Sequence, residues 1–289
     1  MKYRFIFESR GKYRIEKMCK MLEVSRSGYH KYVKRKMSSR RRENMMLLER
    51  IKTIHEKRRG CYGSRRIQAE LRALGITCNR KRISRIMREN GIQAKQRQRY
   101  KVTTKSNHSK PVAANLVNRN FEAEAANKIW VSDITYIWTK EGWLYLSVIL
   151  DLYSRMIVGW SLSQWLTSAI VVQALHQAFI YRKVEEGLIF HSDRGSQYAS
   201  KRVIEILKGY KCQQSMSGKG NCYDNAVVES FFHTLKTELV YLNNFTTRDE
   251  ARSSIFNYIE IFYNRQRRHS ALNYYSPVDF ENNQIKLVA

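Results

Sequence analysis

The chain has 289 residues, 43% of them apolar, and a formal charge of +28. That length suits two or three modules, and that apolar content supplies a core and excludes wholesale disorder. No apolar run reaches membrane-spanning length and "MKYRFIFESRGKYR" contains no signal-peptide core, so neither a spanning helix nor secretion is expected.

The charge is concentrated: residues 1–110 hold 34 of the 53 Lys and Arg but 8 of the 25 Asp and Glu. A one-sided positive field favours a polyanion through counterion release, and nucleic acid comes first. An acidic membrane surface comes second, without a lipophilic helix face to support it. Cys19, Cys61, Cys78, Cys212 and Cys222 lack CxxC spacing, the pattern of reduced thiols in a cytoplasmic protein; for a DNA binder that means the nucleoid.

In chain order, residues 12–31 read as helix, turn and helix, with Met18, Met21 and Leu22 at helical spacing and Ser25 placed to cap the second helix. Residues 1–36 are therefore a candidate helix-turn-helix, with a plain helical hairpin as the alternative. Residues 34–43 are a basic linker or helix start. A helix over 44–59 follows, with Met46, Leu47, Ile51, Ile54 and His55 near one stripe. The turn "GCYG" leads to a helix over 64–74 that should bury Ile67, Leu71 and Leu74. Gly75 ends it, and a further helix over 79–89 buries Ile83, Ile86 and Met87 while turning Arg80, Lys81, Arg82, Arg85 and Arg88 outward. So many like charges on one helix repel unless a polyanion neutralises them. With Arg65 and Arg66 of the preceding helix they are the candidate DNA contacts of a domain over 40–95. Residues 96–122 are aperiodic and polar and read as a linker.

From residue 123 to 289 the pattern changes to apolar runs of strand length. "KIWVSDITYIW", "WLYLSVILDLYS" and "MIVGWSLS" are joined by short turns and suggest an antiparallel meander. A helix over 167–182 precedes "GLIFHSD", whose apolar run suits a buried or parallel strand. Helices over 198–209, 223–240 and 247–264 complete an α/β unit, a mixed sheet flanked by helices. Asp133 lies on the first strand, Asp193 follows the fourth, and Glu229 stands 36 positions later in a helix. Carboxylates converging from separate elements are what a pair of divalent cations at a phosphodiester requires.

The order and the residues resemble the ribonuclease H-like core of DDE transposases and retroviral integrases. The pair "HSDRGSQY" and "SGKGNCYDNAVVESFF", with "YGSRRI" and "YNRQRRHSALNYYSP", is more closely similar to the second-reading-frame proteins of bacterial insertion sequences. The resemblance implies a ribonuclease H-like sheet behind a basic all-helical DNA-binding region, and a triad of Asp133, Asp193 and Glu229. It implies two Mg2+ ions, with Mn2+ as a substitute, held by those three residues. The expected activity is cleavage at the element's ends and attack of the freed 3′-hydroxyl on another phosphodiester. Its expected partners are the terminal inverted repeats, target DNA, further copies in a dimer or larger assembly, and a first-reading-frame protein, separate or fused. A non-catalytic DNA-binding regulator and a metal nuclease without joining activity are the competing classes.

Several accessory residues carry paired expectations. Lys236, two turns beyond Glu229 on the same helical face, contacts the DNA backbone or is a surface lysine. Asn225 and Tyr223 shape the DNA channel, unless Asn225 caps the helix. His191 faces the site or packs in its strand. Ser217–Gly220, with Lys219 as a DNA contact, forms a substrate-ordering loop or a simple turn. Asp151 is expected in a turn between strands. Arg265, Arg267, Arg268 and His269 form a basic patch for phosphate, or pairs that stabilise the fold. Pro277 and Phe280 read as a packed terminal turn.

Overall fold

The computed structural model describes residues 1–34, 37–95, 112–118, 120–218 and 225–288. The first helical unit has three helices, α1 (Lys2–Glu8), α2 (Ile15–Met21) and α3 (Arg26–Val33), around Ile6, Met18, Cys19 and Tyr29. Ser25 caps α3 by accepting from the Gly28 amide at 3.0 Å. The second unit packs α4 (Ser39–Lys57), α5 (Ser64–Ala73) and α6 (Arg80–Glu89) around Leu47, Ile51, Ile67, Leu71, Ile83 and Ile86. Met46, placed near the apolar stripe of α4, is 72% exposed, and Leu74, expected on a buried face, is 58% exposed. Met46 sits on the face of α4 opposite Leu48 and Ile51, and Leu74 comes after the last helical turn of α5, where the chain reverses at Gly75.

The second half is built on a five-stranded mixed sheet ordered β3-β2-β1-β4-β5 among the described residues. The strands are β1 (Ile129–Thr139), β2 (Gly142–Asp151), β3 (Ile157–Ser163), β4 (Ile189–Ser192) and β5 (Gln213–Met216). The first three form the expected meander, and β4 pairs parallel to β1 with Ser132 opposite Ser192. Strand β5, parallel to β4, is not anticipated: "QQSM" is polar and four residues long.

Both faces of the sheet are covered. Helix α7 (Ser168–Tyr181) and α8 (Lys201–Gly209) pack on one, around Trp130, Ile149, Leu175 and Phe190. Gly159 of β3 lets α7 lie close, since a Cβ there would stand 2.3 Å from the Ala174 carbonyl oxygen. On the other face α9 (Ala226–Glu238) and α10 (Arg248–Phe256), with its π-helical continuation Asn257–Tyr263, enclose Val131, Leu146, Val148, Phe231, Leu235 and Tyr258. The segment from Pro277 is a helix, α11 (Pro277–Val288), and not a terminal turn. Proline suits its first position, Ser276 accepts from the Asp279 amide at 3.2 Å, and Glu281 is held by Arg182. No helix among the described residues is long and apolar enough to cross a membrane.

Candidate active site and its basic surroundings

Sheet pairing sets the two aspartates side by side. Asp133 follows Ser132 on the central strand, and Asp193 follows Ser192 on the parallel neighbour, so the paired serines bring the next residues together. Each carboxylate is held by a nearby amide: Ile134 N donates to Asp133 Oδ1 at 2.7 Å, and Gly195 N to Asp193 Oδ1 at 2.9 Å. Glycine at 195 leaves room for the latter bond, since a Cβ there would meet Asp193 Oδ1 at 2.9 Å and push the carboxylate aside. Glu229, one turn into α9, presents its side chain at the exposed side of the same site.

Electrostatics join the three. Burial, followed by the charges of Asp193 and Glu229, pushes the Asp133 carboxyl well above its ordinary range, while Lys236 opposes the shift. Burial and Asp193 raise Glu229 as well. Clustered carboxylates behave this way when no cation offsets them. Among the described residues, no three His, Cys, Asp or Glu side chains stand close enough together to hold a metal ion. The donors still suit one: the carboxylates are hard oxygen ligands. Beside them the buried Asn225 Oδ1 has no hydrogen-bond partner among the described residues, while its Nδ2 donates to Ser132 O at 3.2 Å.

Around the acids, Lys236 is 5% exposed, not a surface lysine, and its Nζ lies 4.8 Å from the centre of the Tyr136 ring. Burial lowers its pKa and Asp133 raises it. Asn225 heads α9 without a side-chain cap and instead ties that helix to β1. His191 is fully buried, its Nδ1 2.8 Å from Ser215 Oγ and its Nε2 3.3 Å from Ser217 Oγ, so it braces β4 against β5. Asp151 accepts from the Asn127 and Tyr153 amides at 2.7 and 2.9 Å, as a turn-forming residue does. Tyr223, Lys219 and Gly220 lie outside the described residues. Two residues not singled out in the sequence also belong here. Tyr198 hydroxyl is 2.9 Å from Ser132 Oγ, which donates to Val148 O, and Arg194 Nε donates to Ser217 O at 2.6 Å. Their signal was the motif "DRGSQY" itself, which fixes both at short range from Asp193.

The basic residues divide into two sets. Arg65, Arg80, Lys81, Arg88 and Arg265 are exposed, and Arg85 is 4.0 Å from Glu89 on its own helix. Others turn inward. Arg82 donates to Asn44 and Glu43 at 2.8 and 3.1 Å. Arg66 Nη1 is 3.9 Å from Glu238 Oε1. Arg267 grips Glu238 with three hydrogen bonds of 2.8–3.2 Å, and Tyr258 hydroxyl donates to the same carboxylate at 2.8 Å. Arg268 Nε is 2.9 Å from Glu70 Oε1, an ion contact without hydrogen-bond alignment, while its Nη2 donates to Oε2 at 3.3 Å. His269 packs edge-on against Tyr263, 4.8 Å between centroids, and burial followed by nearby arginines holds its pKa well below the histidine range. The "RQRRH" segment thus supplies pairs inside the molecule at Arg267 and Arg268.

Comparison with known proteins matches two models described as "Integrase core domain", over residues 123–222 and 229–285, and one described as "HTH-like domain" over 41–100. Over 274 residues the chain is 46% identical to an insertion element IS600 uncharacterized 31 kDa protein of Shigella sonnei, covering 94% of this chain and all of that protein. Over 287 residues it is 40% identical to the transposase InsF for insertion sequence IS3A of Escherichia coli K12, covering 99% of this chain and all of that one. Among solved structures it is similar to a simian T-cell lymphotropic virus intasome, at TM-score 0.47 and 16% identity over 74% of this chain and 70% of that one.

Proposed function

The chain belongs to the IS3-type transposases of bacterial insertion sequences, which carry an integrase-type core, and we propose that Asp133, Asp193 and Glu229 are its catalytic carboxylates. The protein cleaves DNA at the ends of its element and joins the freed 3′-hydroxyl to another phosphodiester. The parallel register of β1 and β4, which sets Asp133 beside Asp193, supports the site assignment, and the charge of Asp193 reaches Glu229 on α9 as well. Acids sharing a site without a cation are a poor structural device and a good cation trap.

Asp133, Asp193 and Glu229, not drawn together as a ligand set in this structure, would have to close on two Mg2+ ions, with Mn2+ as a substitute, which when bound would supply positive charge for the attacking and leaving oxygens. The chain's own residues prepare the site. Ser132, locked to Tyr198 and Val148, fixes the strand under Asp133. The Gly195 amide fixes the rotation of Asp193. Asn225 anchors the start of α9 to β1, which sets the height of Glu229 above the aspartates. Lys236, beside Asp133 and screened from solvent, supplies a fixed positive charge for a backbone phosphate. Arg65, Arg80, Lys81, Arg88, Arg265 and Lys219 are the phosphate contacts that bring terminal repeats and target DNA to the site. The assembly that pairs two ends is a dimer or larger, and a first-reading-frame protein, separate or fused, completes end recognition.

A labelled duplex carrying the parent element's end separates the three functional classes in one experiment with Mg2+. A transposase yields cut and joined products, a nuclease yields cuts alone, and a regulator yields a bound complex with intact DNA. Either of the last two outcomes overturns the proposal.

A further inference from the structure

Of the arginines that turn inward, Arg66, Arg267 and Arg268 share one location, where the domain of α4–α6 meets the core, whereas Arg82 stays within α4–α6. Tyr62, fully buried, is shared by both sides, its hydroxyl donating to Gln266 O at 3.3 Å and accepting from the Arg268 amide at 2.7 Å. Glu70 of α5 receives Arg58 of its own domain and Arg268 of the core, each nitrogen 2.9 Å from Oε1. Arg58 also donates to Gln266 Oε1 at 3.3 Å, and Arg59 lies over the Phe262 ring at 5.0 Å. The seam ends on Glu238, the last residue of α9, where Arg66 of α5 joins Arg267.

We infer that this seam is a ruler: it fixes the DNA-reading helices relative to the catalytic carboxylates and so sets where along the DNA the cut falls. The inference rests on the transposase reading and specifies what its geometry controls. Helix α9 carries both ends of the connection, with Glu229 in the site and Glu238 in the seam, nine residues or about 14 Å of rigid helix apart. A displacement of about 3.4 Å along DNA moves the target phosphate by one nucleotide, so the placement has to be sharp. Directional contacts between buried partners specify the relative position of two domains far more sharply than an apolar patch, which permits sliding. Basic side chains that the sequence offers to DNA are spent on that placement. Glu70, Arg268 and Gln266 are positioning residues in this account, and they touch no reacting atom.

The test uses the full-length chain and a labelled duplex with the parent element's end, comparing it with Glu70→Gln and Arg268→Ala. These variants disturb the seam from opposite sides, and Arg268→Ala leaves the packing of α4–α6 untouched. End affinity, measured in parallel, should stay within about threefold. Among whatever cuts are made, the fraction at the parent position should fall at least twofold, with new cuts one or two nucleotides away. Arg268→Lys, which keeps the charge facing Glu70, should recover part of the sharpness, an outcome that a mere loss of stability would not produce. Cuts as sharply placed in both variants as in the parent chain overturn the ruler alone. A parent chain that binds the end and makes no cut overturns the transposase reading, and the ruler with it.

Discussion

Glu238→Gln should be among the most damaging single changes available outside the active site. Glu238 and Arg267 are 8% and 4% exposed, so neither charge has water to fall back on. Burial works against the Arg267 charge, and Glu238 more than reverses that effect through its charge and hydrogen bonds, leaving the guanidinium more basic than normal. An amide cannot return the two-oxygen grip: it keeps one acceptor and turns an N–H group toward either Arg267 or the Tyr258 hydroxyl. Arg267 is then a buried cation with Arg66 still nearby. Breaking a buried pair from one side typically costs about 3–5 kcal/mol, and much of that is the stranded charge rather than the lost attraction. The double variant Glu238→Gln, Arg267→Met removes the stranded charge and should recover at least about half of that loss. Urea unfolding at neutral pH measures both. A cost below about 1 kcal/mol for the single variant, or a double variant less stable than the single, would refute the reasoning.

Three other outcomes follow from particular contacts. Gly159→Ala should destabilise the core by about 1–3 kcal/mol through overpacking, because the added methyl meets α7 backbone at 2.3 Å; thermal unfolding checks it. Asp151 has its pKa pushed up to about 6 by burial, against its amide donors and Arg182. A raised carboxyl pKa stabilises the fold on the acid side and loses that contribution as pH rises through 6. The stability gap between the parent and Asp151→Asn should therefore widen by about 1.3 kcal/mol from pH 7 to pH 5, read from paired urea curves. Lys236→Met should leave the unfolding midpoint nearly unchanged, since burial penalises the charge it removes. It should slow end cleavage roughly 10- to 100-fold, as losing a hydrogen bond to a charged group of about 1.5–3 kcal/mol does; a single-turnover assay measures it.

What the sequence disclosed follows the strength of each local signal. The meander was legible because β1–β3 alternate or run apolar over seven residues or more, and α5 and α6 because their apolar stripes are clean. Strand β5 was not: its four residues are polar, and its pairing to β4 comes from tertiary context, with His191 braced on Ser215. Helix α1 has a single fully buried side chain, Ile6, and so little periodicity to read. At the site, residue types and spacing pointed to the three acids, because strands, turn and helix are each locally encoded. The fate of the arginines was not legible. A sequence shows Arg66, Arg267 and Arg268 as positive charge, and Glu70 and Glu238 as helical acids far away in the chain. That Arg267 meets Glu238 within the core, and that Arg66 and Arg268 meet Glu238 and Glu70 between α5 and the core, depends on a long-range fold which no local pattern reports.

The most direct measurement of the central claim compares the parent chain with Asp193→Asn on labelled element ends, with Mg2+ present, following binding, cutting and joining together. The variant should bind the ends with much of the parent's affinity and make neither cut nor joined product, while the parent makes both. Joined product from the Asp193→Asn chain at the parent's rate would contradict it.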